Sequence, residues 1–118
     1  MRISDPAGRS GQAFRNVAGA MPADGLVTVA QDYAVADTIG VVMVKTMRNP
    51  VTVTLPRAAA HSGRVVAIRK TDNGQDVVTI RSQNGETMGG SSWLTLTANG
   101  EFVQLQSDGG EWQIVMHF

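Results

Sequence analysis

Between Val51 and Val115 the chain reads as a run of short strands with turn chemistry between nearly all of them. The run opens on the strict alternation Val51-Thr52-Val53-Thr54-Leu55, which places Val51, Val53 and Leu55 on one face and the two threonines on the other. Pro56 stops it, because proline has no N–H to give to a ladder. The run closes on Ser107-Asp108-Gly109-Gly110-Glu111-Trp112-Gln113-Ile114-Val115. Valine leads the apolar residues, isoleucine and threonine are frequent, and charged residues make up only 17%. β-branched side chains suit a pleated, half-buried surface, and the 13 glycines supply turns. The pattern predicts about eight strands at intervals of roughly ten residues and no helix longer than a turn or two. The expected fold is therefore all-β: a small antiparallel β-sandwich or barrel. No repeat of fixed period is present, which argues against a solenoid.

At 118 residues the chain is expected to form one domain, which buries roughly two-thirds of its unfolded surface without staples. Residues 1–25 differ from the rest. They are rich in Ala, Gly, Ser, Asn and Arg, with Ile3, Phe14, Val17 and Met21 as the large apolar side chains. Such a segment cannot bury enough apolar area to offset its ordering entropy. It reads as an extended N-terminal arm that orders on contact with something else, followed by a β domain at residues 26–118. Arg2, Ile3, Arg9, Phe14, Arg15 and Val17 are the arm's candidate contacts to the surface on which it orders, a partner or a second subunit.

Within the β domain, Leu26 to Ala30 predicts a short strand. Gly40 to Met47, a nearly continuous apolar run with Lys45 late in it, predicts a strand buried on both faces. Asn49-Pro50 predicts a turn and Arg57 to His61 a short helical turn. Asn73-Gly74, Asn84-Gly85 and Asn99-Gly100 each carry the preferred centre of a two-residue hairpin. The third pair is the cleanest, because alternating strands, Trp93 to Thr97 and Glu101 to Leu105, flank it. Gly89-Gly90-Ser91-Ser92 reads as a flexible connection.

No catalytic constellation is apparent. His61 and His117 are the only histidines, and with no cysteine a three-ligand zinc site would need a recruited carboxylate. Asp72, Asp76 and Asp108 fall where aspartate ordinarily serves a turn, and nothing in the pattern brings two of them into a cleft. The Gly-rich stretches lack phosphate-loop spacing, and Ser91-Ser92 lack a nucleophile elbow. Arg64, Arg69, Lys70 and Arg81 form a mild basic cluster without interleaved aromatics. They fit a solvated strand face, or pairing with Asp72, Asp76 and Glu86, better than a nucleic-acid surface. Trp93 and Trp112 read as core or interface anchors. Formal net charge is +0, so no global field favours nucleic acid or an anionic membrane. No apolar run approaches the roughly 18 residues that span a bilayer. The expectation is no enzyme, no cofactor, no metal, no nucleic acid and no membrane, with synthesis in a cytoplasm.

One set of residues carries a resemblance. It comprises Leu55-Pro56-Arg57-Ala58-Ala59, Gly63-Arg64, Ile68-Arg69-Lys70-Thr71-Asp72 and Val78-Thr79-Ile80. It continues with Gly85-Glu86-Thr87-Met88-Gly89-Gly90 and Leu105-Gln106-Ser107-Asp108-Gly109-Gly110-Glu111-Trp112. In this order the pieces resemble a β-rich module of tailed-bacteriophage virion structural proteins. The resemblance covers a little over half of the chain and leaves the arm outside. It implies a structural role in head decoration, head fibre or tail fibre, with no catalytic residues, and a homotrimer. A chain that begins at its own Met and has no fibrous stem fits a capsid decoration (cement) protein. Its arm would dock on the major capsid protein, and its location would be the virion's capsid surface. A tail fibre or receptor-binding module that touches the host through Ser91-Ser92-Trp93 is the alternative. A small glycan hydrolase is a third reading, and it lacks the carboxylates it needs.

Overall fold

A computed structural model describes residues 25–74 and 76–118. The arm at residues 1–24, with Arg2, Ile3, Arg9, Phe14, Arg15 and Val17, lies outside the described residues. Among the described residues nine strands form: β1 (Leu26–Val29), β2 (Tyr33–Ala34), β3 (Val41–Val44), β4 (Val51–Thr54), β5 (Val65–Lys70), β6 (Val78–Arg81), β7 (Trp93–Leu96), β8 (Phe102–Ser107) and β9 (Trp112–His117). The one helical piece among the described residues is a 3-10 turn at Ala58–Ala60, where the sequence predicts a short helical turn.

The strands form two sheets, ordered β1-β3-β5-β8-β9 and β2-β4-β6-β7. Both sheets are mixed, which corrects the antiparallel expectation. β1, β3 and β5 pair parallel in the five-stranded sheet, and β2, β4 and β6 pair parallel in the four-stranded one. The pairs β5–β8, β8–β9 and β6–β7 are antiparallel. Neither sheet closes on itself, so the barrel is corrected as well. Parallel neighbours arise because the first six strands alternate between the sheets, so the chain winds around the core like a coil. β1, β3 and β5 begin at residues 26, 41 and 65, so successive windings differ in length. A coil of unequal windings carries no fixed sequence period, and the winding is silent in the sequence.

Each sheet turns one face inward. The alternation seen at Val51 to Leu55 holds across the strands: Val27, Val29, Val42, Val44, Val66, Ile68, Val103 and Leu105 from one sheet meet Val51, Val53, Val78, Ile80 and Leu96 from the other in one buried cluster. β3 is not buried on both faces as its apolar run suggests. Val42 and Val44 are buried, whereas Val41 and Met43 are half-buried on the outer face. At about 25 cal/mol per Å² of apolar surface, each fully buried Val or Ile of this cluster contributes roughly 1.5–3 kcal/mol.

The turns depart furthest from expectation. β7 lies in the four-stranded sheet and β8 in the five-stranded one, so Asn99-Gly100 does not close a hairpin. Glu101 N–H reaches Ala98 O at 3.0 Å, and Gly100 alone of the two central residues has positive φ, at 86°. That is a type II turn, which redirects the chain from one sheet to the other, whereas a hairpin would need positive φ at Asn99 too. Asn84-Gly85 has positive φ at both positions, but it sits inside the β6–β7 connection. Asn73-Gly74 lies on the crossing from β5 to β6, again between sheets. A two-residue turn with both φ positive forms instead at Met47-Arg48, closed by Asn49 N–H on Thr46 O at 2.8 Å. Gly89-Gly90, expected to be flexible, is also a closed turn: Met88 and Ser91 exchange backbone hydrogen bonds of 2.8 and 3.0 Å around it.

Candidate functional site

The polar residues of the segments from Leu55 to Ala59, Gly85 to Gly90 and Leu105 to Trp112 are spent mostly on one another. The Glu86 carboxylate accepts the N–H groups of Ala58 (2.6 Å) and Ala59 (3.1 Å) and the Ser82 hydroxyl (2.9 Å), and so caps the 3-10 turn. Burial opposes its charge, but these donors outweigh that and hold the carboxyl below its ordinary value. The Trp112 indole, fully buried, donates to Pro56 O at 3.1 Å, and the Ser107 hydroxyl donates to Ala58 O at 2.7 Å. Asp108 Oδ1 accepts Gly110 N–H and Glu111 N–H at 2.8 and 2.9 Å. Gly89 N–H donates to Trp112 O, and Trp112 N–H to Thr87 O. The pieces Leu55–Ala59, Gly85–Gly90 and Leu105–Trp112 thus meet at one end of the sandwich as a latch.

A second cluster joins the crossings between the sheets. Lys70, fully buried at the end of β5, donates to Asp72 Oδ1 (3.0 Å), Asp72 O (3.1 Å) and Gly74 O (2.8 Å). Asp72 also accepts Thr46 N–H (3.0 Å), the Thr46 hydroxyl (2.8 Å) and Gly74 N–H (2.9 Å). Desolvation works against the carboxylate. The Thr46 backbone, Lys70 and the remaining donors overcome it and hold Asp72 far below the usual carboxylate range. Thr46 leads out of β3 and Gly74 out of β5, so this clamp ties together two windings of the coil. Lys70 is therefore not part of a solvated basic face. Nor is Arg64, whose Nη2 donates to Ala36 O and Ile39 O at 2.6 and 2.7 Å, pinning the loop before β3. Arg69 and Arg81 are exposed, as expected.

The histidines each face a carboxylate distant in sequence. His61 Nε2 lies 3.5 Å from Asp37, and His117 Nε2 lies 3.0 Å from Glu101. Glu101 also accepts Thr97 and Ala98 N–H and is held below its ordinary value despite partial desolvation. Among the described residues no group of three metal-ligating side chains converges. The two tryptophans part company: Trp112 is a core anchor, whereas Trp93 is 63% exposed.

What the sandwich leaves open is its two outer faces. On the five-stranded sheet one row across the strands reads Leu26, Val41, Ala67, Gln104, Met116, and the next reads Thr28, Met43, Arg69, Phe102, Phe118. Leu26, Val65 and Met116 are exposed, Phe118 is 72% exposed, and Phe102 packs on it with ring centroids 5.0 Å apart. β9, the edge strand, leaves Ile114 and Val115 exposed as well. A β-bulge opposite Gln104/Leu105 shifts its alternation. On the four-stranded sheet one row reads Thr52, Thr79, Thr95, and its neighbour Ala34, Thr54, Arg81, Trp93. Sequence inspection alone does not single out the apolar face. Its one signal is the unbroken stretch Ile114-Val115-Met116, which breaks the alternation of the strands before it. No protein-family model, curated protein or solved structure matches the chain.

Proposed function

We propose that this chain is a non-enzymatic structural protein of a tailed-phage virion, a capsid decoration protein that associates with copies of itself. The observation that carries the reading is the apolar outer face of the five-stranded sheet. Exposed apolar patches of this kind mark interaction sites, and an apolar edge strand such as β9, whose outer edge only Thr87 and Gly89 cover at Trp112, invites pairing. The occupant is a second copy of the chain. Both sides of the contact are then apolar and nearly free of charge, Arg69 being the one ion on its two central rows, and three copies covering one another's face give the homotrimer. The arm at residues 1–25, through Arg2, Ile3, Arg9, Phe14, Arg15 and Val17, docks on the major capsid protein, with avidity across the trimer. The use of the motif's carboxylates as loop braces supports a mechanical role.

Deletion of Met1 to Met21 tests the docking. The truncated protein is expected to keep its β-sheet circular dichroism and lose binding to purified heads; undiminished binding would refute the role of the arm. Light scattering of the full chain tests the trimer, and a monomer at micromolar concentration would overturn it. The exposure of Trp93 favours a second reading, a host-receptor module. Stoichiometric co-purification with full heads supports the first reading, and binding to host cells without heads supports the second.

A further inference from the structure

Trp93 stands at the edge of the four-stranded sheet with its indole in solvent, where burial does not explain it. It lines two shallow hollows of about 350 Å³ each: one shared with Thr79, Arg81 and Ser92, the other with Ser91 and Ser92. Its place is built. β7 pairs it directly opposite Arg81, and the closed turn at Met88–Ser91, anchored by fully buried Met88, sets the approach to the strand. Thr79 and Thr95 sit side by side in the adjoining row, and Thr52 continues that row on β4.

We propose that Trp93, Arg81, Thr79 and Ser92 form a binding site for an acidic saccharide. An exposed indole offers a flat apolar surface that suits the C–H face of a pyranose ring. Hydroxyls that both donate and accept match sugar hydroxyls. Among the described residues Arg81 is the one charged group lining the hollows, and its planar fork suits a carboxylate bidentately, which selects a uronate or sialic-acid type sugar over a neutral one. Single-stranded nucleic acid fits less well, since it asks for several stacking aromatics along a basic groove. Here one exposed indole stands on a chain of formal net charge +0. The site is independent of how the protein is attached to a head or to other copies.

Tryptophan emission of the full chain reads the binding, because Trp112 is buried and only Trp93 is within reach of a ligand. Titration with trigalacturonate and with sialyllactose is expected to give saturable change for at least one of them in the millimolar range or tighter. Maltotriose should bind about tenfold more weakly, as should Arg81→Gln with the acidic probe. Trp93→Ala, followed by calorimetry, should lose binding at least tenfold while its thermal midpoint and Trp112 emission stay unchanged. Failure of both acidic probes at 10-fold excess over about 1 mM overturns the proposal. So does unchanged affinity in Trp93→Ala, or tighter binding of a thymidine decanucleotide than of either sugar at equal salt.

Discussion

The two outer faces of this sandwich are built on the same inner alternation and end in opposite chemistry. The five-stranded sheet presents Leu26, Val65, Met116 and Phe118, and the four-stranded sheet presents Thr52, Thr79, Thr95, Arg81 and Trp93. A buried core leaves the outer residue of each strand free to vary, since only the inner positions are held by packing. The outer positions are therefore where the two sheets part: exposed aliphatic side chains and Phe118 stand on one, threonines with Arg81 and Trp93 on the other, and the two proposed uses rest on that difference.

The largest effect should come from the clamp, on which the setting of both faces depends. Asp72→Ala strands a fully buried Lys70 and is expected to cost about 3–5 kcal/mol in urea unfolding, degrading both faces together. If saccharide binding persisted while self-association vanished in this variant at native temperature, the clamp would set only one of the two faces. Next, Met116→Asp with Phe118→Asp should weaken self-association at least tenfold by sedimentation, because a charge would be buried in the contact. Thr52→Asp, the control on the other face, should change it less than about twofold. Equal effects of the two would erase the contrast between the faces.

Acid should act through the braces. Asp72, Glu86 and Glu101 all titrate below their ordinary values in the folded chain, so the stability they add is present above the unfolded carboxylate range and lost as pH falls. The thermal midpoint should be flat from pH 7 to about 5 and decline below about pH 4, with Asp72→Asn showing a shallower decline. The smallest effect is local. Met47 and Arg48 sit at φ of 51° and 78°, which L residues with bulky side chains disfavour. Replacing the pair with Asn-Gly should stabilise by about 0.5–1 kcal/mol in urea, leaving both faces unchanged.

Much of the secondary structure is legible in the chain. Val51-Thr52-Val53-Thr54 announces β4, its buried face and its end at Pro56, because alternation and a missing N–H are local facts. Pairing is another matter. Asn99-Gly100 looks like a hairpin centre and serves as a crossing between sheets, while Met47 looks like the end of a strand and forms a tight turn with Arg48. Turn propensity of this size is of the order of 1 kcal/mol and yields to the burial of whole strands. The candidate residues divide likewise. Trp112 and Trp93 are alike in sequence, and only the sheet order buries the first against Pro56 and leaves the second at an edge.

The sequence by itself determined an all-β chain, the positions of most strands and the inner face of Val51 to Leu55, since period-two burial is written residue by residue. Tertiary structure alone decided that the strands wind alternately between two mixed sheets, that Lys70 lies buried on Asp72, and that Leu26, Met116 and Phe118 share one face. Those facts join residues far apart in the chain. They follow from which strands lie side by side, and strand order leaves no local period to read.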